Sequence, residues 1–197
     1  RILAQLAEAA STPQEREQWL KQQIDGIATA TQANAYPNGV EELRKLEAEI
    51  TQSSASSSLV PYVSYRRLLT DLYASRIHNS DPKKQQELQN WWSQQLQAFV
   101  QKYPQSEDAP DAMQQLAMSL ELDGKIKEAR NWYQQLASNY RDAPAAQRAV
   151  GALRRLGLVG QPLAISGNSL GGGRIDTTRL RGKVQLVIFW ATWCQPC

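Results

Sequence analysis

The spacing of apolar residues constrains the fold of this 197-residue chain more than any other feature, and it changes near Gly157. Before that glycine, apolar side chains recur at steps of three and four residues, as do Leu88, Trp92, Leu96 and Phe99. This period places them on one face of an α-helix. After Pro162 the apolar segments are shorter and are separated by glycines. We therefore predict a mostly α domain over residues 1–157, followed by β structure within residues 158–197.

Several helix boundaries are marked in the sequence. Thr12 can cap the start of a helix, and Pro13 suits its first turn. The Glu15 side chain can hydrogen-bond back to the backbone at the start of the helix. This helix is expected to run to about residue 34. A second helix is predicted from Val40 to about residue 51, and the serine-rich segment 53–58 is expected to be a mobile loop. Further helices are predicted around residues 59–78, 82–103, 112–122, 126–140 and 146–156.

Two features of these helices are more specific. The sequence Asn79-Ser-Asp-Pro82 is expected to end one helix and cap the next. The helix before it is predicted to bury a single face, which carries Tyr62, Tyr65, Leu69, Leu72 and Tyr73. The tryptophans at 91 and 92 are expected in the core, and a concave aromatic groove for peptides is the alternative that we keep open.

An internal repeat suggests how the helices pair. The pattern Phe99-x-x-x-Tyr103-Pro104 recurs as Leu136-x-x-x-Tyr140, and Gly124 marks a turn between two helices. This segment resembles the tetratricopeptide repeat, with matching residues at Leu116, Ala117, Gly124, Ala129 and Tyr133. The resemblance implies helical hairpins stacked as a short solenoid that takes part in protein interaction.

The bulk composition excludes several classes of function. The chain has 22 Lys and Arg against 19 Asp and Glu, a near balance that gives no nucleic-acid footprint. No apolar run reaches the roughly 18 to 20 residues that a membrane span needs. Because Arg1 already begins a helical pattern and the sequence stops at the second cysteine of its motif, we expect that the chain continues at both ends. Any signal peptide or anchor would then lie upstream of Arg1. Two cysteines are too few for a disulfide scaffold.

The C-terminal forty residues carry the strongest chemical signal. Residues 163–175, with Gly171-Gly-Gly173 at their turn, predict a β-hairpin. The apolar run 184–189 predicts a buried strand, which leads into Trp190-Ala-Thr-Trp-Cys-Gln-Pro-Cys197. A Cys-x-x-Cys at the end of a strand and the start of a helix is typical of a redox pair, because helix N–H groups favour the thiolate. A zinc site or two inert thiols are the alternatives, and zinc is disfavoured because His78 is distant.

The segment 182–197 closely resembles the active site of thioredoxin-like proteins, in particular the exported TlpA/ResA-type branch. The resemblance implies that residues 158–197 are the N-terminal part of an incomplete thioredoxin-like domain. It implies a bacterial, exported or cell-envelope thiol–disulfide oxidoreductase in which Cys194 attacks and Cys197 resolves the mixed disulfide. Trp190, Trp193, Gln195 and Pro196 would shape the site. The resemblance implies no cofactor beyond the redox-active disulfide of Cys194 and Cys197. The partners that it implies are protein thiols or disulfides as substrates, and a redox partner protein.

Two positions depart from the family pattern. Gln195 replaces the glycine that is common between the cysteines, so the direction of electron transfer is left open. Ile188 stands where thioredoxin itself often has a buried Asp, and we expect another carboxylate to serve Cys197. Because the remaining strands of the fold are not in this sequence, the 197-residue chain alone is expected to be inactive, whereas the full-length protein is expected to be an enzyme. The alternative is a non-catalytic tetratricopeptide-like binding scaffold.

Overall fold

A computed structural model of the chain describes residues 2–53, 58–77, 81–180, 182–188 and 190–195. These residues form eight α-helices and one two-stranded antiparallel sheet, so the predicted mostly α architecture followed by a β-hairpin is confirmed. The chain divides into two compact units, Arg1–Leu153 and Arg154–Cys197. Most of the predicted serine-rich loop and His78 lie outside the described residues.

The helices follow one another with short connections. Their bounds are α1 Ile2–Ala9, α2 Pro13–Gln32, α3 Gly39–Gln52, α4 Leu59–Ile77, α5 Pro82–Lys102, α6 Ala109–Leu122, α7 Ile126–Asn139 and α8 Pro144–Leu156.

The predicted helix starts at Thr12 and Asp81 are confirmed. The Thr12 hydroxyl accepts a hydrogen bond from the Glu15 N–H at 3.1 Å, and the Glu15 carboxylate accepts one from the Ser11 N–H at 2.9 Å. The Asp81 carboxylate accepts the Lys83 N–H at 2.9 Å. Each helix has a proline in its first turn, where the missing N–H costs no hydrogen bond. Side chains therefore satisfy backbone donors that the helices leave unpaired.

Helix α4 is the centre of the first unit, because it packs against α2, α3 and α5. Because these neighbours cover several sides of α4, more than one stripe of its surface is buried. Val63, Leu68 and even Thr70 with its hydroxyl are therefore inside. The Thr70 hydroxyl is satisfied locally, since it donates to the Arg66 carbonyl at 2.7 Å. The prediction that α4 buries a single face is therefore partly wrong, because Tyr73, which was expected inside, is half exposed.

Helices α2 and α3 approach each other closely at Gly39. This glycine is buried, and a Cβ built on it would lie 1.7 Å from the Thr31 hydroxyl oxygen and 3.2 Å from a methyl carbon of Ile27. The first distance is too short for two atoms that are not bonded, so a side chain at this position would force Thr31 to move. The close approach of the two helices therefore favours glycine at this position.

The segment with the internal repeat packs as α5 on α6 and α6 on α7. Ala117 and Ala129 are fully buried, and Gly124 between the helices has φ +74°, a conformation that favours glycine. The Tyr140 hydroxyl donates to the Pro104 carbonyl, which ties the end of α7 to the end of α5. Most of the other buried side chains here are on the apolar faces that the periodicity predicts: Trp92, Leu96, Phe99, Val100, Ala112, Met113, Leu116, Leu120, Tyr133 and Leu136. Ala109 and Ser119 are buried without having been predicted, and Ile126, which was expected on the apolar face, is exposed.

The second unit contains the predicted hairpin, although it is short. Strands β1 Ser166–Asn168 and β2 Arg174–Asp176 pair antiparallel, with Gly167 opposite Ile175, and a 3-10 helix Thr177–Leu180 follows. Glycines 172 and 173 have positive φ in the turn. The Thr177 hydroxyl donates to the Leu163 carbonyl at 2.7 Å and accepts the Ile165 N–H at 2.8 Å, which closes the base of the hairpin.

The predicted buried strand after the hairpin is not formed. Residues 184–188 have no regular structure, and Val184, Leu186 and Ile188 are exposed. A strand forms through hydrogen bonds to a neighbouring strand. Among the described residues, only β1 and β2 pair in this way. Residues 184–188 therefore have no neighbouring strand with which to form backbone hydrogen bonds. Phe189, its last residue, lies outside the described residues.

Candidate functional site

The predicted redox site follows the apolar run at the C-terminal end of the described chain. The Cys194 N–H donates to the Ala191 carbonyl at 3.0 Å, so residues 191–194 form a turn that holds the cysteine partly buried. Cys194 is disulfide-bonded. The sequence contains one other cysteine, Cys197, which together with Pro196 lies outside the described residues.

Of the side chains predicted to shape the site, the three within the described residues are exposed to solvent. Trp190 is 70% exposed and Trp193 is 86% exposed, and Gln195 is exposed as well. Both indole rings therefore present most of their surface to solvent in this conformation. Since apolar rings of this size are costly to leave in water, they are available for contact with another surface.

Two further predictions concern the surroundings of Cys194. The described residues end at Gln195 in a turn, so the helix expected after Cys194 lies outside them. Ile188, at the position where thioredoxin itself often has Asp, is 71% exposed. No group of three or more metal-binding side chains occurs in the described part of the chain.

A second cluster of polar groups lies in the helical unit, around Arg66 of α4. Its guanidinium donates to Asp108 at 2.8 Å and to Asp25 at 3.3 Å, and it lies 4.3 Å from the centre of the Tyr62 ring. The Tyr62 hydroxyl in turn donates to Asp25 at 2.7 Å. Arg66 therefore links α2 to the residue that precedes α6, with an aromatic face beside the charge.

Burial and hydrogen bonding shift the ionisation of this cluster. Burial, together with the hydrogen bond to Asp25, raises the pKa of Tyr62 to about 12. Burial and the hydrogen bond to Asp111 raise the pKa of Tyr65 further. Burial also raises the pKa of Asp108, although its hydrogen bond with Arg66 acts in the opposite direction. The phenols therefore stay protonated as hydrogen-bond donors throughout the neutral range.

A parallel set of ion pairs joins α3 to α4. Arg67 donates to Glu47 and, at 2.9 Å, to Asp71 in its own helix. Arg44 of α3 reaches Asp71 at 3.0 Å. None of these residues was predicted from the sequence. The sequence does contain one indication of them, the Arg66-Arg67 pair within an otherwise mostly apolar helix. A charge in such a helix needs a partner of opposite charge, so ion pairs with neighbouring helices could have been predicted.

A groove of about 530 Å³ opens beside the Arg66 cluster, between the α2 and α4 side and the connection from α5 to α6. Its charged groups are mostly paired within the protein: Lys21 with Glu17 at 2.9 Å, and Asp108 with Arg66. The Lys21–Glu17 pair lies within α2, and the Arg66–Asp108 pair joins α4 to the residue before α6. Charges that are paired in this way leave little capacity for a ligand. We therefore assign the cluster a structural role.

Comparison with known proteins gives no relative from which a family could be assigned. No protein-family model matches the chain, and neither a curated protein nor a solved structure matches it. Within the described residues, no helix is both long enough and apolar enough to cross a bilayer.

Proposed function

We propose that the protein is a thiol–disulfide oxidoreductase that uses Cys194 and Cys197 as a dithiol/disulfide pair. The observation that carries this proposal is the sequence Trp190-Ala-Thr-Trp-Cys-Gln-Pro-Cys197, in which the two sulfurs are close enough along the chain to resolve one mixed disulfide. The disulfide-bonded state of Cys194 is consistent with it. The resemblance to the TlpA/ResA-type branch adds an exported or cell-envelope location.

The chemistry requires no cofactor beyond the two thiols. In the reducing direction, the Cys194 thiolate attacks one sulfur of a substrate disulfide and displaces the other as a thiolate. The Cys197 thiolate then attacks the Cys194 sulfur and releases the second substrate thiol. Two electrons pass to the substrate, and Cys194–Cys197 becomes the disulfide. A redox partner protein that supplies two electrons restores the dithiol.

The reverse sequence would oxidise a substrate dithiol, and the reduction potential decides between the two directions. Gln195 lies between the cysteines, where the side chain affects the relative stability of dithiol and disulfide. A potential near that of thioredoxin, about −270 mV, would favour a reductant, and one near about −120 mV a strong oxidant. The exposed Trp190 and Trp193 offer an apolar surface against which a protein substrate can pack.

The test uses the full-length protein, because residues 184–188 lack a strand partner within the described residues. The pH dependence of Cys194 alkylation gives its pKa, and equilibration with glutathione buffers gives the potential of the pair. We expect a Cys194 pKa well below the ordinary value of about 8.5, as in Cys-x-x-Cys enzymes. Cys194→Ser should abolish turnover, whereas Cys197→Ser should accumulate the mixed disulfide. A Cys194 thiol that titrates like a free cysteine would refute the proposal.

The second candidate is a non-catalytic scaffold that binds proteins through its helices. The observation that favours it is the helical unit itself, which packs its repeat-like segment as consecutive neighbouring helices. Two measurements distinguish the candidates. A scaffold keeps its partners when both cysteines are replaced by Ser and shows no disulfide turnover before the replacement.

A further inference from the structure

The charge of the chain is distributed unevenly between its two units. Residues 154–197 contain six Lys and Arg but a single acidic residue, Asp176, whereas residues 1–153 contain 16 Lys and Arg and 18 Asp and Glu. The near balance of the whole sequence therefore conceals an excess of five positive charges in the unit that carries Cys194. An excess of one sign in a small unit attracts partners of the opposite sign and raises their rate of association.

The cations of the C-terminal unit are not neutralised locally. Arg174, Arg179 and Lys183 are exposed and form no ion pair among the described residues. Arg174 donates to a serine hydroxyl of β1 at 3.1 Å. The Asp176 carboxylate accepts the hydroxyl and the N–H of Thr178 at 2.7 Å and 2.9 Å, and Arg179 acts on it only through its charge. Since one carboxylate can offset only one positive charge, the surface of the hairpin and of the residues after it stays positive.

These cations lie beside the segment that leads to the redox motif. Arg179 belongs to the 3-10 helix Thr177–Leu180, and Lys183 follows it. The Gln185 side-chain amide donates to the carbonyls of the first and last residues of that helix, at 3.4 Å and 3.3 Å. Cys194 is nine residues farther along the chain, which spans at most about 30 Å at 3.3 Å per residue. The Debye length at 0.01 M ionic strength is also about 30 Å, so these charges act on a molecule that approaches Cys194.

The same unit exposes apolar side chains next to its charges. Leu170, in the turn of the hairpin, is fully exposed, and Ile175 is half exposed. The turn is ordered, since the Ser169 N–H donates to the Gly173 carbonyl at 2.9 Å and accepts, through its own carbonyl, the Gly172 N–H at 3.1 Å. Protein interfaces combine an apolar centre with a polar rim. A polypeptide with carboxylates and apolar side chains can satisfy both parts of this surface, whereas a free anion satisfies only the charges.

We propose that the C-terminal unit selects protein substrates that carry acidic residues close to the disulfide or dithiol on which they react. This inference rests on the thiol–disulfide activity proposed above and names the substrate class for that site. Arg174, Arg179 and Lys183 attract the acidic residues while the substrate sulfur reaches Cys194. Because charges of this kind steer the encounter, they raise the association rate more than the stability of the complex.

The redox step itself is unchanged by the attraction. The Cys194 thiolate attacks one substrate sulfur and displaces the other as a thiolate, and Cys197 then displaces the second substrate thiol. Two electrons pass to the substrate for each disulfide formed between Cys194 and Cys197. The acidic residues of the substrate take no part in this transfer, so the selection appears in the rate constant for association and disappears when salt screens the charges.

The experiment compares two peptides with the same internal disulfide, one flanked by glutamates and the other by glutamines. The full-length protein is first reduced, and the second-order rate constant of its oxidation by an excess of each peptide is measured in a single turnover. At about 0.01 M ionic strength we expect the Glu peptide to react about tenfold faster than the Gln peptide, at the lower end of the range for electrostatic steering. At about 1 M, where the Debye length is about 3 Å, the two rate constants should be equal.

The variant Arg174→Gln, Arg179→Gln removes two of the five excess charges and changes neither cysteine. If the logarithm of the preference scales with the net charge, the preference for the Glu peptide should fall from about tenfold to about fourfold. The matched control is Lys83→Gln with Lys84→Gln, which removes two exposed cations from α5 of the helical unit. It should keep the tenfold preference, and circular dichroism should show the same helix content in all three proteins.

Equal rate constants for the two peptides at low salt, a preference that persists at about 1 M, or an equal loss in the control would overturn this inference. Failure of the redox proposal gives a different result, because neither peptide would then oxidise the protein. In that case fluorescence anisotropy of labelled, cysteine-free versions of the peptides measures recognition alone. Preferential binding of the Glu version would support an acidic partner, and equal binding would overturn it. Tighter binding of an oligonucleotide or of phosphatidylglycerol vesicles than of the Glu peptide would also overturn the inference, because those anions meet the same charges.

Discussion

Replacing Arg66 by Met tests whether the cluster around that residue holds the helices together. The Arg66 side chain is 26% exposed, and its carboxylate partners differ, since Asp108 is 14% exposed and Asp25 is 51% exposed. Met keeps much of the apolar stem but removes the charge and its hydrogen bonds. The substitution therefore leaves the mostly buried Asp108 carboxylate without its cation.

The expected cost lies between two limits. Removing one partner of a fully buried ion pair costs about 3–5 kcal/mol, and an exposed pair contributes about 0–1 kcal/mol. The Arg66–Asp108 pair is closer to the buried limit, whereas the Asp25 pair is closer to the exposed one. Loss of the cation over the Tyr62 ring adds about 0.5–1 kcal/mol. We expect the free energy of unfolding to fall by about 2–3 kcal/mol.

Urea denaturation followed by circular dichroism measures this change. The control is Arg44→Met, because Arg44 also bonds an aspartate of α4 but is 54% exposed, and Asp71 keeps Arg67 as a partner. We expect the control to cost at most about 0.5 kcal/mol. Equal costs for the two variants would refute the argument that burial decides the contribution of these pairs.

Three further predictions concern the same unit. Leu136→Ala, at a position with 0% exposure, should cost about 2–5 kcal/mol of unfolding free energy, whereas Leu122→Ala, at 84% exposure, should change it by less than about 0.5 kcal/mol. Gly124→Ala should lower the melting temperature, since φ +74° costs a residue with a Cβ about 1–2 kcal/mol, and Gly151→Ala, in open space within α8, should raise it. Tyr62 should ionise near pH 12 rather than 10; its raised pKa supplies stability that is complete below pH 10 and lost as the pH rises through about 12. An alkaline titration followed by tyrosinate absorbance measures this pKa. If the Tyr62→Phe variant showed the same absorbance change near pH 12 as the wild type, the prediction would be contradicted.

The helices were predictable because their signals are local. Thr12 and Asp81 act on backbone N–H groups within a few residues, and the apolar period of α6 and α7 directly defines the buried face. Such information is complete within a short stretch of sequence. Helix bounds and most of the core followed from it.

The remaining features depend on residues that are distant in sequence. The pairing of Arg66 with Asp25 and Asp108 joins positions about forty residues apart, and neither partner is marked locally. Tyr73 is exposed because the neighbours of α4 decide which of its faces are covered. Residues 184–188 have the composition of a strand, but a strand also needs a neighbouring strand to which it can hydrogen-bond. The composition of one segment does not show whether such a neighbour is present. The redox site was identified from its motif alone, and its chemistry stays a prediction.

The approach of α2 to α3 at Gly39 has a consequence for how this sequence can vary. We expect every substitution at that position, even to alanine, to lower the stability, because Thr31 would have to move, although the glycine itself contributes no side chain to the core. A methyl group would act as a wedge and separate the two helices where Ile27 lies. The position is thus restricted although it contributes no contact of its own, because atoms of the neighbouring helix already fill the space that a side chain would need.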